Sequence, residues 1–260
     1  MNIGKKIRLS RLFTNTRSLI VPVDDSLING PEEGLYDIEK TLKIIIDESP
    51  NGILCFKGIL KNYQDLLVKT PIILNLTGST TRINHTRKIL ISSVEESLAL
   101  GADAVAVHIN ISSSFEGEMI KNFSEISREC DTLGMPLMAI IYPRFEENGV
   151  DNNYLDLKLR SETEYTKLVR HCVRIAHDLG ADIIKTQYTG SVESFETVIK
   201  CVEKVPVLIA GGQKISIDEA LNNTEGAIKA GASGICFGRN TYNRKNIATF
   251  IKQVRKIVHK

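Results

Sequence analysis

The strongest constraint on this chain is an alternation. Short apolar runs rich in β-branched residues recur along it, separated by helix-length amphipathic segments. Eight runs are predicted as strands: Ser18–Asp24, Gly52–Lys57, Ile72–Thr77, Ala104–Asn110, Leu137–Tyr142, Asp182–Tyr188, Val205–Ala210 and Ser233–Gly238. Several are apolar at nearly every position, as in Val205–Ala210, which marks parallel strands covered on both faces. Helical spacing is predicted for Tyr36–Asp47, Ser93–Leu100, Ser161–Leu179 and Asp218–Ala230. The last three run into Gly101, Gly180 and Gly231, each opening a Gly-Ala-Asp or Gly-Ala-Ser phrase before a strand. Glycine there can close the helix in the left-handed region and release the chain into the next strand. Eight βα units in 260 residues favour one closed (β/α)8, or TIM, barrel over an open doubly wound sheet. The expected organisation is a single domain over residues 1–260, with a short helical extension at about residues 1–17.

Charge and cysteine usage narrow the partners. The formal net charge of +2 is spread along the chain, so neither nucleic acid nor an anionic membrane is expected as a partner. The cluster Arg255–Lys256–His259–Lys260 is expected to be a solvated helix end. Five cysteines without a CxxC pair signal neither a disulfide framework nor a zinc site, and Cys55 and Cys236 read as small buried hydrophobes. Met1–Phe13 is basic and amphipathic, unlike a signal peptide, and no apolar stretch reaches membrane-span length. A cytoplasmic setting is therefore expected. The polar stretch Asn148–Arg160, following the fifth strand, is expected to be a flexible loop at the catalytic rim that can close over substrate.

In a barrel of this kind the chemistry lies at the C-terminal ends of the strands. Lys185 stands inside the sixth strand, where burial is costly for a cation; desolvation is expected to lower its pKa and free the amine to attack a carbonyl. Asp24 ends the first strand and can orient a hydroxyl or move a proton. Tyr142 ends the fifth and can exchange a proton beside a Schiff base. Gly211 and Gly212 follow the seventh strand, and Gly238 and Arg239 the eighth. These are the usual positions of a phosphate cradle in this fold. Lys57 and His108 are expected at the mouth or its edge, with Lys57 as a second candidate for the imine-forming amine.

At this point the chain resembles the archaeal-type class I aldolases, a family that includes archaeal fructose-bisphosphate aldolase and 2-amino-3,7-dideoxy-D-threo-hept-6-ulosonate synthase. The matching stretches run from Lys6 to His259. Among them are Val21–Pro22–Val23–Asp24, Lys57–Gly58–Ile59, His108–Ile109–Asn110, Tyr142–Pro143–Arg144, the run from Gly180 to Thr186, Ala210–Gly211–Gly212 and Gly238–Arg239–Asn240. The resemblance implies Lys185 as the Schiff-base lysine, Tyr142 as acid/base, Asp24 as a second proton-handling carboxylate, and the two glycine sites with Arg239 as the phosphate site. It further implies phosphorylated sugar and aldehyde substrates, no cofactor or metal, and a homo-oligomer. Asn29–Gly30–Pro31 resembles the aminoheptulosonate branch and its bacterial aminohydroxybenzoate-pathway relatives, which join dihydroxyacetone phosphate to aspartate semialdehyde.

Two positions depart from the family pattern. Asp24–Asp25–Ser26 stands where Asp-His-Gly is usual, so Asp25 either raises the proton affinity of its neighbour or binds a substrate amine. Gln213 stands where proline often follows Ala-Gly-Gly. Three readings follow: a Schiff-base aldolase or transaldolase acting on an amino-aldehyde, a fructose-bisphosphate aldolase, and a catalytically silent phosphosugar-binding barrel.

Overall fold

The computed structural model describes residues 2–82, 85–148 and 150–260. Eight parallel strands close into a barrel: β1 (Ser18–Pro22), β2 (Gly52–Cys55), β3 (Ile72–Asn75), β4 (Ala104–Ile111), β5 (Leu137–Pro143), β6 (Ile183–Gln187), β7 (Val207–Ala210) and β8 (Gly234–Cys236). Neighbours in sequence are neighbours in space, and β1 pairs with β8 to close the ring. Six of the strands are shorter than the apolar runs, while β4 and β5 each extend one residue further. The terminal residues of the predicted segments, such as Asp24 and Gly238, lie past the last ladder partner, where a side chain or an N–H can face the mouth.

Strand parity sorts the core into two compartments. Ile20, Leu54, Ile73, Ala104, Met138, Ile183, Leu208 and Cys236 point into the barrel, whereas their alternates, such as Leu19, Ile53, Val105, Ala139, Ile184 and Ile209, pack under the helices. Alternation therefore carries Lys185 inward from Ile183, Tyr142 inward from Met138 and Ile140, and His108 inward from Ala104 and Ala106.

The helices begin where their caps dictate. Ser93, Ser161 and Ser216 accept the N–H of Glu96, Glu164 and Glu219 and start Val94–Ala99, Glu162–Asp178 and Ile217–Lys229. Gly101, Gly180 and Gly231 follow these helices at φ +82°, +88° and +98°. The helix expected from Tyr36 starts instead at Ile38, because the Asp37 carboxylate captures the Lys40 N–H; a single 3-10 turn, Glu33–Leu35, precedes it.

The basic N-terminal segment forms the helix Ile3–Leu12 and closes the bottom of the barrel. Leu12 is fully buried against Ile20 and Leu54. Its cations meet acids of the underside: Lys5 Nζ lies 2.6 Å from Asp131 and 2.7 Å from Asp182, and Arg11 lies 2.9 Å from Asp103.

Two expectations are corrected. Residues 148–160 do not form a structureless loop. Phe145–Glu147 pairs antiparallel with Val150–Asn152, and the helix Leu155–Arg160 follows; Gly149 lies outside the described residues. The C-terminal cluster is not purely solvated either. Arg255 approaches Glu48 at 4.0 Å, and His259 Nε2 lies 3.0 Å from Asn51 Oδ1. Among the described residues no helix is long and apolar enough to cross a membrane.

Candidate active site

The C-terminal mouth of the barrel holds a cavity of about 290 Å3. It gathers nine of the ten residues singled out from sequence: Asp24, Asp25, His108, Tyr142, Lys185, Gly211, Gly212, Gly238 and Arg239. The tenth, Lys57, is elsewhere. It opens the helix Lys57–Asn62 and its ammonium sits 2.9 Å from Glu96. Parity explains the error: Ile53 and Cys55 belong to the compartment under the helices, and Lys57 is next in that series. Lys57 is therefore corrected from mouth residue to outer salt-bridge residue.

Lys185 is 8% exposed, midway along β6, in register with Ile140 of β5 and Leu208 of β7. Burial alone would lower the pKa of its amine. Cys236, Tyr142 and Asp24 face it and outweigh that, so the pKa is raised instead. The expected lowering is thus corrected in direction: the groups facing Lys185 favour its ammonium form in the unliganded site, and Asp24 is the one of them that carries charge at neutral pH. Burial raises Cys236 to about 11, and it also raises Tyr142, so at neutral pH the thiol and the phenol keep their protons. The Asp24 pKa is raised by burial too, partly offset by Lys185 and by the hydrogen bond from Asn75 Nδ2 at 2.8 Å. Its raised proton affinity suits Asp24 to take up a proton within the cavity.

A relay of hydrogen bonds fixes this wall. Asn75 Oδ1 accepts from the Thr77 N–H and hydroxyl, both at 3.0 Å, and the Thr77 hydroxyl accepts the His108 N–H at 2.9 Å. The His108 ring meets Tyr142 edge-on, with centroids 5.1 Å apart. Burial first, then the cations Lys88, Arg144 and Lys185, hold His108 well below its usual pKa, so the ring is neutral. Its buried Nε2 has no hydrogen-bond partner among the described residues.

Asn240 clips the glycine loops together. Its Nδ2 donates to the carbonyls of Gly211 and Gln213, and its Oδ1 accepts the Ile215 N–H. The N–H groups of Gly212 and Gly238 find no acceptor among the described residues. A Cβ on Gly238 would come within 3.2 Å of the Pro22 carbonyl and the Tyr242 ring, so glycine keeps this wall close to the β1 end. Arg239 donates to Gln213 Oε1 at 3.0 Å and lies 3.8 Å from Asp25, whose carboxylate also accepts from Asn29 and Tyr242. The two departures from the family pattern thus both lie against Arg239: Gln213 accepts its hydrogen bond and Asp25 sits beside its guanidinium.

Sequence reasoning missed several cavity residues. Cys236 shares the inward parity of its strand and is a lysine neighbour rather than a mere small hydrophobe. Arg144 was visible in Tyr142–Pro143–Arg144 but had no assigned place; it lines the cavity with Asp151 3.4 Å away. Lys88 and His85 come from the segment between Gly78 and Ile89, where no periodic signal exists.

A buried strand lysine among proton-bearing groups, beside glycine loops with free N–H groups and an arginine, suits a barrel enzyme that condenses carbonyls. Residues 18–244 match the DeoC/LacD family aldolase, and the chain belongs to that family. It is 36% identical over 99% of its length to 2-amino-3,7-dideoxy-D-threo-hept-6-ulosonate synthase 1 of Archaeoglobus fulgidus, covering 92% of that protein. It is 33% identical to the 2-amino-4,5-dihydroxy-6-oxo-7-(phosphonooxy)heptanoate synthase of Streptomyces griseus, over 98% of this chain and 90% of the other. Its fold superposes with a TM-score of 0.86 on a solved Schiff-base-forming fructose-1,6-bisphosphate aldolase, 31% identical, over 98% of this chain and 99% of that one. The protein is accordingly a class I, Schiff-base aldolase.

Proposed function

We propose that this aldolase joins a phosphorylated three-carbon or longer ketose fragment, with dihydroxyacetone phosphate as the simplest case, to an amino-aldehyde such as aspartate semialdehyde. Lys185 is the imine-forming residue in this reading. The observation that carries it is the coincidence, in one cavity, of the β6 lysine, two proton-exchanging groups and an anion cradle on the β7 and β8 ends. The substrate phosphate sits on the unpaired N–H groups of Gly212 and Gly238, with Arg239 adding a charge-assisted contact.

As the ketone arrives, the Lys185 proton passes to Asp24 and the free amine adds to the carbonyl. Asp24 gives that proton to the hydroxyl that leaves the carbinolamine as water, and its carboxylate then accepts the proton that the neighbouring carbon loses as the iminium draws its electrons. The enamine so formed attacks the aldehyde carbon. The new alkoxide takes its proton from Tyr142, whose raised pKa makes it a hydroxyl donor at neutral pH, and Asp24 passes the carbon's proton on to the phenolate. Water then hydrolyses the iminium and returns the amine. Neutral His108 offers its unpaired Nε2 to a substrate hydroxyl or carbonyl. A reduced, cytoplasmic setting suits the five cysteines, all of which are free.

Both curated relatives quoted above are named for amino-sugar-acid products, which favours the amino-aldehyde over glyceraldehyde 3-phosphate. Fructose-bisphosphate aldolase activity is the second reading, supported by the solved fold neighbour. The catalytically silent reading has the free anion cradle and the buried amine against it. Borohydride reduction in the presence of dihydroxyacetone phosphate, followed by peptide mass spectrometry, tests the role of Lys185. The label is expected on Lys185 and absent in Lys185→Met; a label on another lysine, or none in the wild type, refutes it. Product masses from parallel incubations with aspartate semialdehyde and glyceraldehyde 3-phosphate decide between the two active readings.

A further inference from the structure

The cavity has a second lysine that this mechanism does not use. Lys88 is 1% exposed and lines the mouth from the segment that follows β3. In the closed ring β3 stands four strands from β7, so the segment that carries Lys88 leaves the barrel at a different part of the rim from the loop of Gly211 and Gly212. Its ammonium donates to Ser79 Oγ at 2.6 Å and lies 3.3 Å from His85 Nδ1. No carboxylate among the described residues comes within 4.0 Å of it, whereas the other fully buried lysine outside the reacting centre, Lys5, is gripped by two. A buried cation without a counter-ion is costly, and sites keep one where a ligand supplies the missing charge. The neighbouring cation agrees: the buried Arg144 Nε makes no hydrogen bond, although Asp151 is nearby. Burial, then repulsion from Arg144, brings Lys88 down to about 7 in the unliganded cavity; Asp151, Asp24 and Asp25 oppose the fall without cancelling it. Burial likewise depresses His85 to about 3, so it adds no charge of its own.

We infer that Lys88 is the specificity-determining residue for the second substrate: it receives the anionic group of the incoming aldehyde, a carboxylate or a phosphate, apart from the ketose phosphate. The inference rests on the proposed aldol condensation at Lys185. Its chemistry is a charge-assisted hydrogen bond from Nζ, with Ser79 holding one of the other N–H groups in place.

The test compares wild type, Lys88→Met and Lys88→Arg with three aldehydes at saturating dihydroxyacetone phosphate: aspartate semialdehyde, glyceraldehyde 3-phosphate and neutral glyceraldehyde. In Lys88→Met, KM for an anionic aldehyde is expected to rise about 10–100-fold, the range of one lost charged hydrogen bond. KM for glyceraldehyde and borohydride trapping at Lys185 stay unchanged, and Lys88→Arg restores part of the loss. A rise confined to aspartate semialdehyde identifies a carboxylate site, one confined to glyceraldehyde 3-phosphate a phosphate site, and a rise for both a general anion site. Normal trapping with unchanged KM values, or an equal change for charged and neutral aldehydes, overturns this inference alone. No trapping in the wild type overturns the reading of Lys185 and this inference together.

Discussion

At the scale of single residues, the site is a problem in proton placement. Lys185 needs to be an amine to react, yet its neighbours hold the proton on it. Of the three groups that raise its pKa, Cys236 and Tyr142 are neutral at physiological pH, which leaves Asp24 as the charged partner. Removing that carboxylate lowers the ammonium's stability and leaves burial unopposed by any anion. In Asp24→Asn, the rise of imine trapping with pH is therefore expected at lower pH than in the wild type. Aldol turnover falls by about 10²–10⁴-fold, because the mobile proton acceptor is lost. Trapping rates across a pH series with dihydroxyacetone phosphate check this, and a limb that stays put or moves to higher pH contradicts it. Much of the reacting centre was legible beforehand, because strand parity is a period of two and Lys185, Tyr142 and His108 obey it. The same rule, applied to Ile53 and Cys55, would have removed Lys57. Protonation was not legible: the sign of the Lys185 shift depends on which side chains three other strands bring to face it.

At the scale of elements, the barrel strands were readable because most are apolar on both faces, and the helices because serine caps and glycine stops bracket several of them. The excursions at the mouth were not. Thr77–Gly78 with Ile89–Leu90, and Phe145–Glu147 with Val150–Asn152, are two- and three-residue pairings too short to show a period. They are held by contacts from other parts of the chain, such as the 2.6 Å hydrogen bond from Thr86 to Glu146 that joins the two excursions. The N-terminal helix was legible as amphipathic, but its docking was not, since its partners Asp131 and Asp182 are far away in sequence. That docking has a measurable cost of removal. Lys5 is 2% exposed, and its loss leaves Asp182, whose half-buried carboxylate also accepts the Leu137 N–H, without a counter-charge. Breaking a buried pair from one side destabilises by about 3–5 kcal/mol. Lys5→Ala is thus expected to lower Tm by roughly 6–20 °C, at about 2–4 °C per kcal/mol for a chain near this size. Thermal unfolding followed by circular dichroism measures it, and a shift under about 2 °C means the helix is not held by this pair.

At the scale of the whole molecule, the mouth carries charge at separate parts of its rim as well as on the reacting amine. Arg239 stands beside the glycine loops of β7 and β8, Lys88 and Arg144 enter from the segments after β3 and β5, and Asp24 and Lys185 come from β1 and β6. Such a field orders a substrate end to end before any bond forms, provided the two ends act independently. The cradle end can be isolated with glycerol 3-phosphate, which has the phosphate but no carbonyl and therefore forms no imine. A ligand bound only by the folded state stabilises by about 2.7 kcal/mol at a concentration 100 times its Kd. For a barrel of this size that is a rise in Tm of roughly 5–11 °C. Lys185→Met is expected to keep the rise, since the amine does not touch the phosphate. Arg239→Met is expected to lose most of it, because the cradle retains its glycine N–H groups but not the charged contact that Gln213 and Asp25 hold in place. Lys88→Met should behave like the wild type in this measurement, its side of the mouth being empty of ligand. If Arg239→Met retains the full shift while Lys88→Met loses it, the phosphate sits beside Lys88, and the substrate runs through the barrel in the opposite direction.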